Sequence, residues 1–193
     1  METLIFERQG PVGWLRLNRP DRLNAQVPQM WRELAELGGE LQKDSELRAL
    51  VVTGVGRSFS SGIDVSQFSA DPLFQQPGSG TAQPNGRDPF LDAIARFQEG
   101  FLILAELAVP TIAAVRGHAL GAGFQLALAC DLRIVARGTK LGMLEHRYGL
   151  VPDLGGTVWL PRLVGPAKAK ELIWTAATFD AEEADRLGLV NRL

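Results

Sequence analysis

An α/β or α+β domain with largely parallel strand pairing is predicted by three features of the sequence. Short continuous apolar runs alternate with stretches of helical apolar spacing. Chain breakers fall between the two kinds of segment. Two of the apolar runs lead through glycine-containing loops toward the start of a helix, which makes a loose internal repeat.

The elements follow in order. Leu4-Ile5-Phe6 and residues 12–17 flank Gln9-Gly10-Pro11 and read as an opening hairpin, with Leu15 and Leu17 marking one buried face. After the break at Asn18-Arg19-Pro20-Asp21, Met30, Leu34, Leu37 and Leu41 recur at the spacing of an amphipathic helix. Residues 49–53 form an apolar run of the kind covered on both sheet faces, and it ends at Gly54. From Ala70 to Asn85 the composition turns to Pro, Gly, Ser and Gln, so residues 70–87 are expected to be a surface loop, open to mobility. Phe68, Phe74 and Phe90 in and around it suit either a pocket cover or a tolerated insertion. Helical spacing resumes over 90–107 and stops at Pro110, and buried strands are expected at 111–115 and 132–136. Residues 166–177 read as a helix. Asp180 with Glu183 resembles a capping box that opens a last helix, closed by Gly188.

The chain has 193 residues, 46% of them hydrophobic and 22% charged, which suits one globular domain over 1–193. A net charge of −2 leaves no basic footprint, which argues against nucleic acid or an anionic membrane as the main partner. No apolar run approaches the ~18 residues that a membrane span needs, and Met1-Glu2-Thr3 does not open a signal peptide, so a cytoplasmic location is expected. The single Cys130 sits in an apolar run, as a small core residue in a reducing compartment would. The two histidines and that cysteine show no ligand-like spacing, so no metal site is expected.

The repeat carries the chemistry. Val51 to Gly54 leads through Gly56 and Gly62 toward an expected helix, and Ala114-Val115 leads through Gly117, Gly121 and Gly123 into another. A glycine loop entering a helix presents backbone N–H groups that lack intrahelical acceptors, and two such loops can converge on one oxygen as an oxyanion hole. The plainer reading is that these glycines permit tight turns and close packing. Spacing alone favours it, since neither loop matches a phosphate-binding pattern.

Three segments nevertheless resemble signatures of the enoyl-CoA hydratase/isomerase (crotonase) family, in order and in spacing. They are Phe59-Ser60-Ser61-Gly62-Ile63-Asp64-Val65, Gly117-His118-Ala119-Leu120-Gly121-Ala122-Gly123 and Gly149-Leu150-Val151-Pro152-Asp153-Leu154-Gly155-Gly156. Arg19-Pro20, Asn24-Ala25, Cys130-Asp131-Leu132 and Asp180-Ala181-Glu182-Glu183-Ala184 extend the likeness over nearly the whole chain. The resemblance implies a crotonase-like spiral of ββα units that binds an acyl-CoA thioester, with the backbone N–H groups of Ile63 and Ala122 as oxyanion donors. An alanine at 122 replaces a family glycine, which leaves the donor in place and narrows the space beside it. The resemblance also implies that CoA lies along Arg22 to Ala25 and along Phe59 to Gly62, with Arg22 suited to a phosphate and with Ala25, Ser61, Gly62 and Asp64 among the substrate-binding residues. It implies no cofactor beyond the CoA carried by the substrate. Fatty-acid metabolism is the implied setting.

Proton transfer decides which reaction follows. Hydratases of the family use two glutamates. Glu145 matches the second, but Gln125 stands at the first, and an amide can hold water without exchanging a proton. Asp153 stands where dienoyl-CoA isomerases and ring-opening epoxide isomerases carry an aspartate. Glu145 and Asp153 could thus face the acyl chain from two sites and move a proton between carbons. The competing readings are that Glu145 starts a helix or pairs with His146 or Arg147, and that Asp153 caps the turn before Gly155. An aroyl-CoA dehalogenase would use Asp153 as nucleophile, but its supporting histidine has no counterpart over 90–107. His118 reads as a packed loop residue rather than a base, and Trp159 as a border of the acyl pocket.

The implied activity is therefore a double-bond shift in an enoyl- or dienoyl-CoA, with an enoyl-CoA hydratase or a non-catalytic acyl-CoA binder as alternatives. The family continues beyond the segment that resembles 188–192 with C-terminal helices that cover the site and build trimers. With the sequence ending at Leu193, that helical part is expected to be missing, which leaves the implied homo-oligomer, a trimer or hexamer, in doubt.

Overall fold

A computed structural model describes residues 1–66 and 89–193. The loop expected over 70–87, with Phe68 and Phe74, lies outside the described residues. β1 (Leu4–Gln9) and β2 (Val12–Leu17) form the expected hairpin, with Leu4 opposite Leu17. Strand alternation turns Gly13, Leu15 and Leu17 to the core. β2 then pairs in parallel with β3 (Ala49–Gly54), and β3 with β4 (Thr111–Val115). A second, three-stranded sheet places β5 (His118–Leu120) parallel to β7 (Lys140–Gly142) and β7 antiparallel to β8 (Phe179–Asp180). β6 (Leu132–Val135) pairs in parallel with β4 and completes the first sheet in the order β1-β2-β3-β4-β6. Parallel neighbours need crossovers, and these supply the helices.

α1 (Pro28–Leu41) buries Met30, Leu34, Leu37 and Leu41 as their spacing predicts. It lies against α2 (Pro89–Ala105), where Trp31 meets Phe97 at 4.8 Å between ring centres and Phe101 at 6.4 Å. The two helices approach closely because Gly100 faces α1: a Cβ there would sit 2.7 Å from the Trp31 carbonyl oxygen. α3 (Ala122–Ala129) is buried along its whole length, so its sequence is apolar all round except at Gln125. No helix among the described residues is long and apolar enough to cross a membrane.

Three expectations change. β6 is covered on one face only, since Leu132 and Ile134 are exposed while Arg133 and Val135 are buried. The helix read from Pro166 begins earlier. α4 runs over Gly156–Thr175, with a kink where Gly165 takes a non-helical φ of 77° and ψ of 161°. Pro166 opens the helical turn after the kink, where its missing N–H costs nothing. The repeat is also uneven: its second unit holds strand β5 inside the glycine segment before α3. In the first, Ile63 forms a bridge with Gln26 and residues 65–66 form a turn. Any helix beyond Ser66 lies outside the described residues. The capping box at α5 (Ala181–Arg186) is present, with Asp180 Oδ1 accepting from the Glu183 N–H at 2.8 Å.

Candidate active site

The first glycine loop is held between two layers of backbone. On one side, Asn24 accepts from the Arg19 N–H at 2.8 Å through Oδ1 and donates through Nδ2 to the carbonyls of Val55 at 2.9 Å and Ser58 at 2.8 Å. That amide ties the segment 22–26 to the loop. The Ser61 N–H donates to the Leu23 carbonyl at 3.0 Å, and the Gln26 N–H to the Gly62 carbonyl at 2.7 Å. On the other side, Ser60 exchanges backbone hydrogen bonds with β5, donating to His118 at 2.8 Å and accepting from Leu120 at 3.1 Å. Gly62, at φ +99°, is pressed so near β5 that a Cβ would lie 2.8 Å from the Leu120 carbonyl oxygen and 3.8 Å from the Ala122 nitrogen.

This sandwich brings Ile63 and Ala122 to one cavity. The Gln26 N–H bonds to Gly62 and the Asp64 N–H bonds back to Gln26, so in this parallel bridge the N–H of Ile63 itself points away from Gln26. Ala122 is the first residue of α3, where an N–H has no intrahelical acceptor. Both residues line one cavity of about 630 Å³. Arg22, Ala25, Ser61, Gly62 and Asp64 line it at the first loop, and Gln125, Glu145 and Asp153 at the second. Arg22 is exposed and has no acidic partner among the described residues. Asp64 is committed differently: Ser66 and then Arg19, at 2.7 and 2.9 Å, hold its carboxyl below the ordinary range against the cost of burial, so it fastens the loop.

Glu145 opens a 3-10 turn over Glu145–Tyr148 and is buried. Its carboxylate lies over the start of α3, 3.3 Å from where a Gly121 Cβ would be. Oε1 accepts from Gln125 Nε2 at 2.7 Å, whereas Oε2 is buried with no hydrogen-bond partner among the described residues. Burial pushes the Glu145 carboxyl above its ordinary pKa. Its own backbone N–H and Gln125 oppose the shift, and the Asp153 charge adds to it. Asp153 is raised too, chiefly by burial. Gln125 is in turn fixed by the Gly156 N–H, which donates to its Oε1 at 2.9 Å.

Trp159 is expected at the border of the acyl pocket. It is not among the residues lining the cavity, because its ring folds back over Gly155, where a Cβ would meet it at 2.3 Å. The cavity's apolar wall comes instead from Trp31, Ile94, Phe97, Leu144 and Leu154. The spacing of Trp31 and Phe97 marks them as core, and nothing in a periodic pattern distinguishes a filled core from the wall of a hollow. His118 lies beside Ser58, with Nδ1 3.4 Å from its Oγ, and does not line the cavity. Cys130 is buried and donates to the Leu126 carbonyl at 3.7 Å, and burial raises its thiol to about 12.

Residues 7–193 match the enoyl-CoA hydratase/isomerase family. The "Probable enoyl-CoA hydratase echA8" of Mycobacterium bovis is 40% identical over 192 residues, which are 100% of this chain and 68% of that protein. The mitochondrial Delta(3,5)-Delta(2,4)-dienoyl-CoA isomerase of Rattus norvegicus is 37% identical over 190 residues, 98% of this chain and 57% of that one. A Thermobifida fusca protein described as an enoyl-CoA hydratase and solved with CoA superposes with a TM-score of 0.86 at 46% identity, covering 99% of this chain and 71% of its own.

Proposed function

The chain belongs to the enoyl-CoA hydratase/isomerase family, and from that premise we propose that it binds an acyl-CoA and shifts a double bond of an enoyl or dienoyl group. Two carboxyl groups with raised pKa, the buried Glu145 and the half-buried Asp153, bordering one cavity carry this reading. A carboxyl raised toward neutrality exchanges protons well in both directions. The thioester oxygen would lie between the Ile63 and Ala122 N–H groups, each worth roughly 3–4 kcal/mol to a developing oxyanion. Glu145, over the start of α3, would take a proton from C2 of a 3-enoyl thioester. The electron pair moves through C3, and Asp153 protonates C4. One proton leaves and one enters, so the acid pair ends with its charge exchanged and resets against water. No cofactor is needed beyond the CoA of the substrate. The CoA bound by the Thermobifida fusca protein supports this ligand class, and Arg22 at the first loop suits a phosphate.

Hydration is the second reading, favoured by the hydratase names among the relatives. It requires Glu145 to activate water without a second glutamate. Incubation with crotonyl-CoA, a 3-enoyl-CoA and a 2,5-dienoyl-CoA in deuterated water separates the two. A moved double bond with deuterium uptake and no added oxygen is the expected result, and water added to crotonyl-CoA with no bond shift in the others would replace it with the hydratase. Tight binding without turnover or exchange would leave only the acyl-CoA binder.

A further inference from the structure

Gln125 is 1% exposed, and both ends of its amide are engaged. The assignment of oxygen and nitrogen follows from its partners. A backbone N–H can only donate, so the end facing Gly156 is oxygen and the end facing Glu145 is the donating nitrogen. Gly156 opens α4, and its N–H belongs to the positive end of that helix. The chain from Gly156 N–H through the amide to Glu145 Oε1 is therefore polarised in one direction, each bond strengthening the next.

The other oxygen of the same carboxylate, Oε2, is buried and has no hydrogen-bond partner among the described residues. From this asymmetry we propose that Gln125 is a positioning residue, which links the α4 N-terminus to Oε1 of Glu145 and so reserves Oε2 for the proton. The inference rests on proton transfer by Glu145. It also gives the amide a task that a carboxylate at 125 would not perform. An ionised glutamate could accept from Gly156, but it would have nothing to donate to Glu145 and would repel it. Gln125 thus does not stand in for a missing acid. It keeps the Glu145 carboxylate oriented and ionisable.

The charged surroundings of Glu145 are few. Asp153 raises its pKa and His146 lowers it, Arg22, Asp64 and Tyr148 line the same cavity, and α3 has no ionisable residue. In α4 the first is Arg162, a turn and a half from Gly156. A change at 125 is therefore read out at Glu145 with little interference.

The test compares wild type, Q125M, Q125E and E145Q in turnover of a 3-enoyl-CoA between pH 5 and 9, with CoA affinity by calorimetry. Q125M keeps the volume and removes both hydrogen bonds. It is expected to lower kcat about 10–100-fold, with KM and CoA affinity within about threefold, since an oriented general base is worth roughly 10²–10⁴ and orientation is part of that. The acidic limb of the kcat profile should move to higher pH, because the ionised carboxylate has lost its donor, and Q125E should move it further. Unchanged kcat and limb in Q125M overturn the proposal, as does a fall in kcat with the limb unmoved, which would be a structural effect only. Should Q125M fail to fold, Q125E, which retains an acceptor for Gly156, decides by the same limb. Retained activity in E145Q would instead refute proton transfer by Glu145. Infrared titration of the carboxyl at 145, isolated by subtracting the E145Q spectrum, follows the same shift without turnover, so a wild type inactive on this substrate still permits the test.

Discussion

α3 has a buried charged side chain at each end, and the two are treated in opposite ways. At its start lies Glu145, one oxygen bonded to Gln125 and the other without a partner among the described residues. At its end lies Arg133, extended inward from β6, with Nε donating to the Leu189 carbonyl at 2.8 Å and one terminal nitrogen to the Cys130 carbonyl at 2.7 Å. The other terminal nitrogen donates to the Asp131 carbonyl at 3.3 Å. Both charges suit the helix dipole, a carboxylate at the positive end and a guanidinium at the negative end. Saturation separates them. A buried polar atom left unbonded costs about 1–3 kcal/mol, so the Glu145 end gives up stability and keeps a free lone pair, while the Arg133 end uses its donors to hold the chain together.

The largest expected effect breaks the reactive end. E145Q should lower turnover of an enoyl-CoA by about 10³–10⁴-fold, within the range that a positioned acid–base group contributes. Thermal unfolding at pH 8 should move up rather than down. The sign follows from linkage. The folded pKa of Glu145 is raised, so the native state holds the proton longer than the unfolded chain, and stability is lost as pH rises through that folded pKa. An amide does not ionise and escapes the loss. A melting temperature that falls at pH 8 would mean that the carboxylate is satisfied after all.

The saturated end should respond in reverse. R133A strips donors from the carbonyls of Leu189, Cys130 and Asp131 and leaves a void among them, with an expected loss of about 3–5 kcal/mol. The Arg133 backbone also pairs with Asn191, its N–H donating to Oδ1 at 2.9 Å, so the segment 187–192 should loosen first in hydrogen exchange. Turnover per folded molecule should stay within about twofold of wild type. A large fall in kcat with stability intact would remove the distinction drawn between the ends of α3.

The reactive end was the more legible of the two in the sequence. Glycines and a helix start leave marks in the sequence, but the resemblance to a family is what singles out Ile63, Gly62, Ala122, Glu145 and Asp153, all of which line one cavity. The parallel strands are legible as short apolar runs, although β6 is covered on one face only. What stayed hidden depends on partners distant in sequence. The bond of Gln125 to Gly156 spans 31 residues and needs a helix start that Gly155-Gly156 and Pro161 disguise. Arg133 reads as one more polar residue in a strand, because its partners are backbone carbonyls, which no side-chain pattern reports. Trp159 was misplaced for the same reason: nearness in sequence to Asp153 does not say which way a helix turns its ring.

Asp153 offers a smaller effect at the same cavity. Gln98 Nε2 donates to its backbone carbonyl at 2.6 Å, which fixes the main chain and leaves the carboxyl free of that role. D153N should therefore fold normally and reduce the double-bond shift about 10–100-fold, less than E145Q, because removing C4 protonation leaves the enolate step intact. Deuterium exchange at C2 of the substrate should persist in D153N and vanish in E145Q. Loss of exchange in both would merge the two acids into one unit.

The smallest effect asks whether saturation, rather than the sign of the charge, separates the ends of α3. Glu33 is a buried carboxylate like Glu145 but fully partnered: Oε1 accepts from the Glu2 N–H at 2.9 Å, and Oε2 accepts from the Thr3 N–H at 3.0 Å and from Thr3 Oγ1 at 2.8 Å. Burial acts to raise its pKa, but the hydrogen bonds from Glu2, Thr3 and Gln29 together outweigh it and hold the carboxyl below its ordinary value. Linkage then has the opposite sign to Glu145. The stability from Glu33 is complete above the unfolded carboxylate range and is lost as pH falls through the lowered folded pKa. E33Q should cost about 1 kcal/mol at pH 7 by weakening charge-assisted bonds that tie the start of β1 to α1, with the difference from wild type shrinking toward pH 3. Urea titrations at pH 3, 5 and 7 measure that convergence. A gap that stayed constant across the three would mean that Glu33 acts through packing, and a saturated carboxylate would then no longer be the counterpart against which Glu145 is reactive.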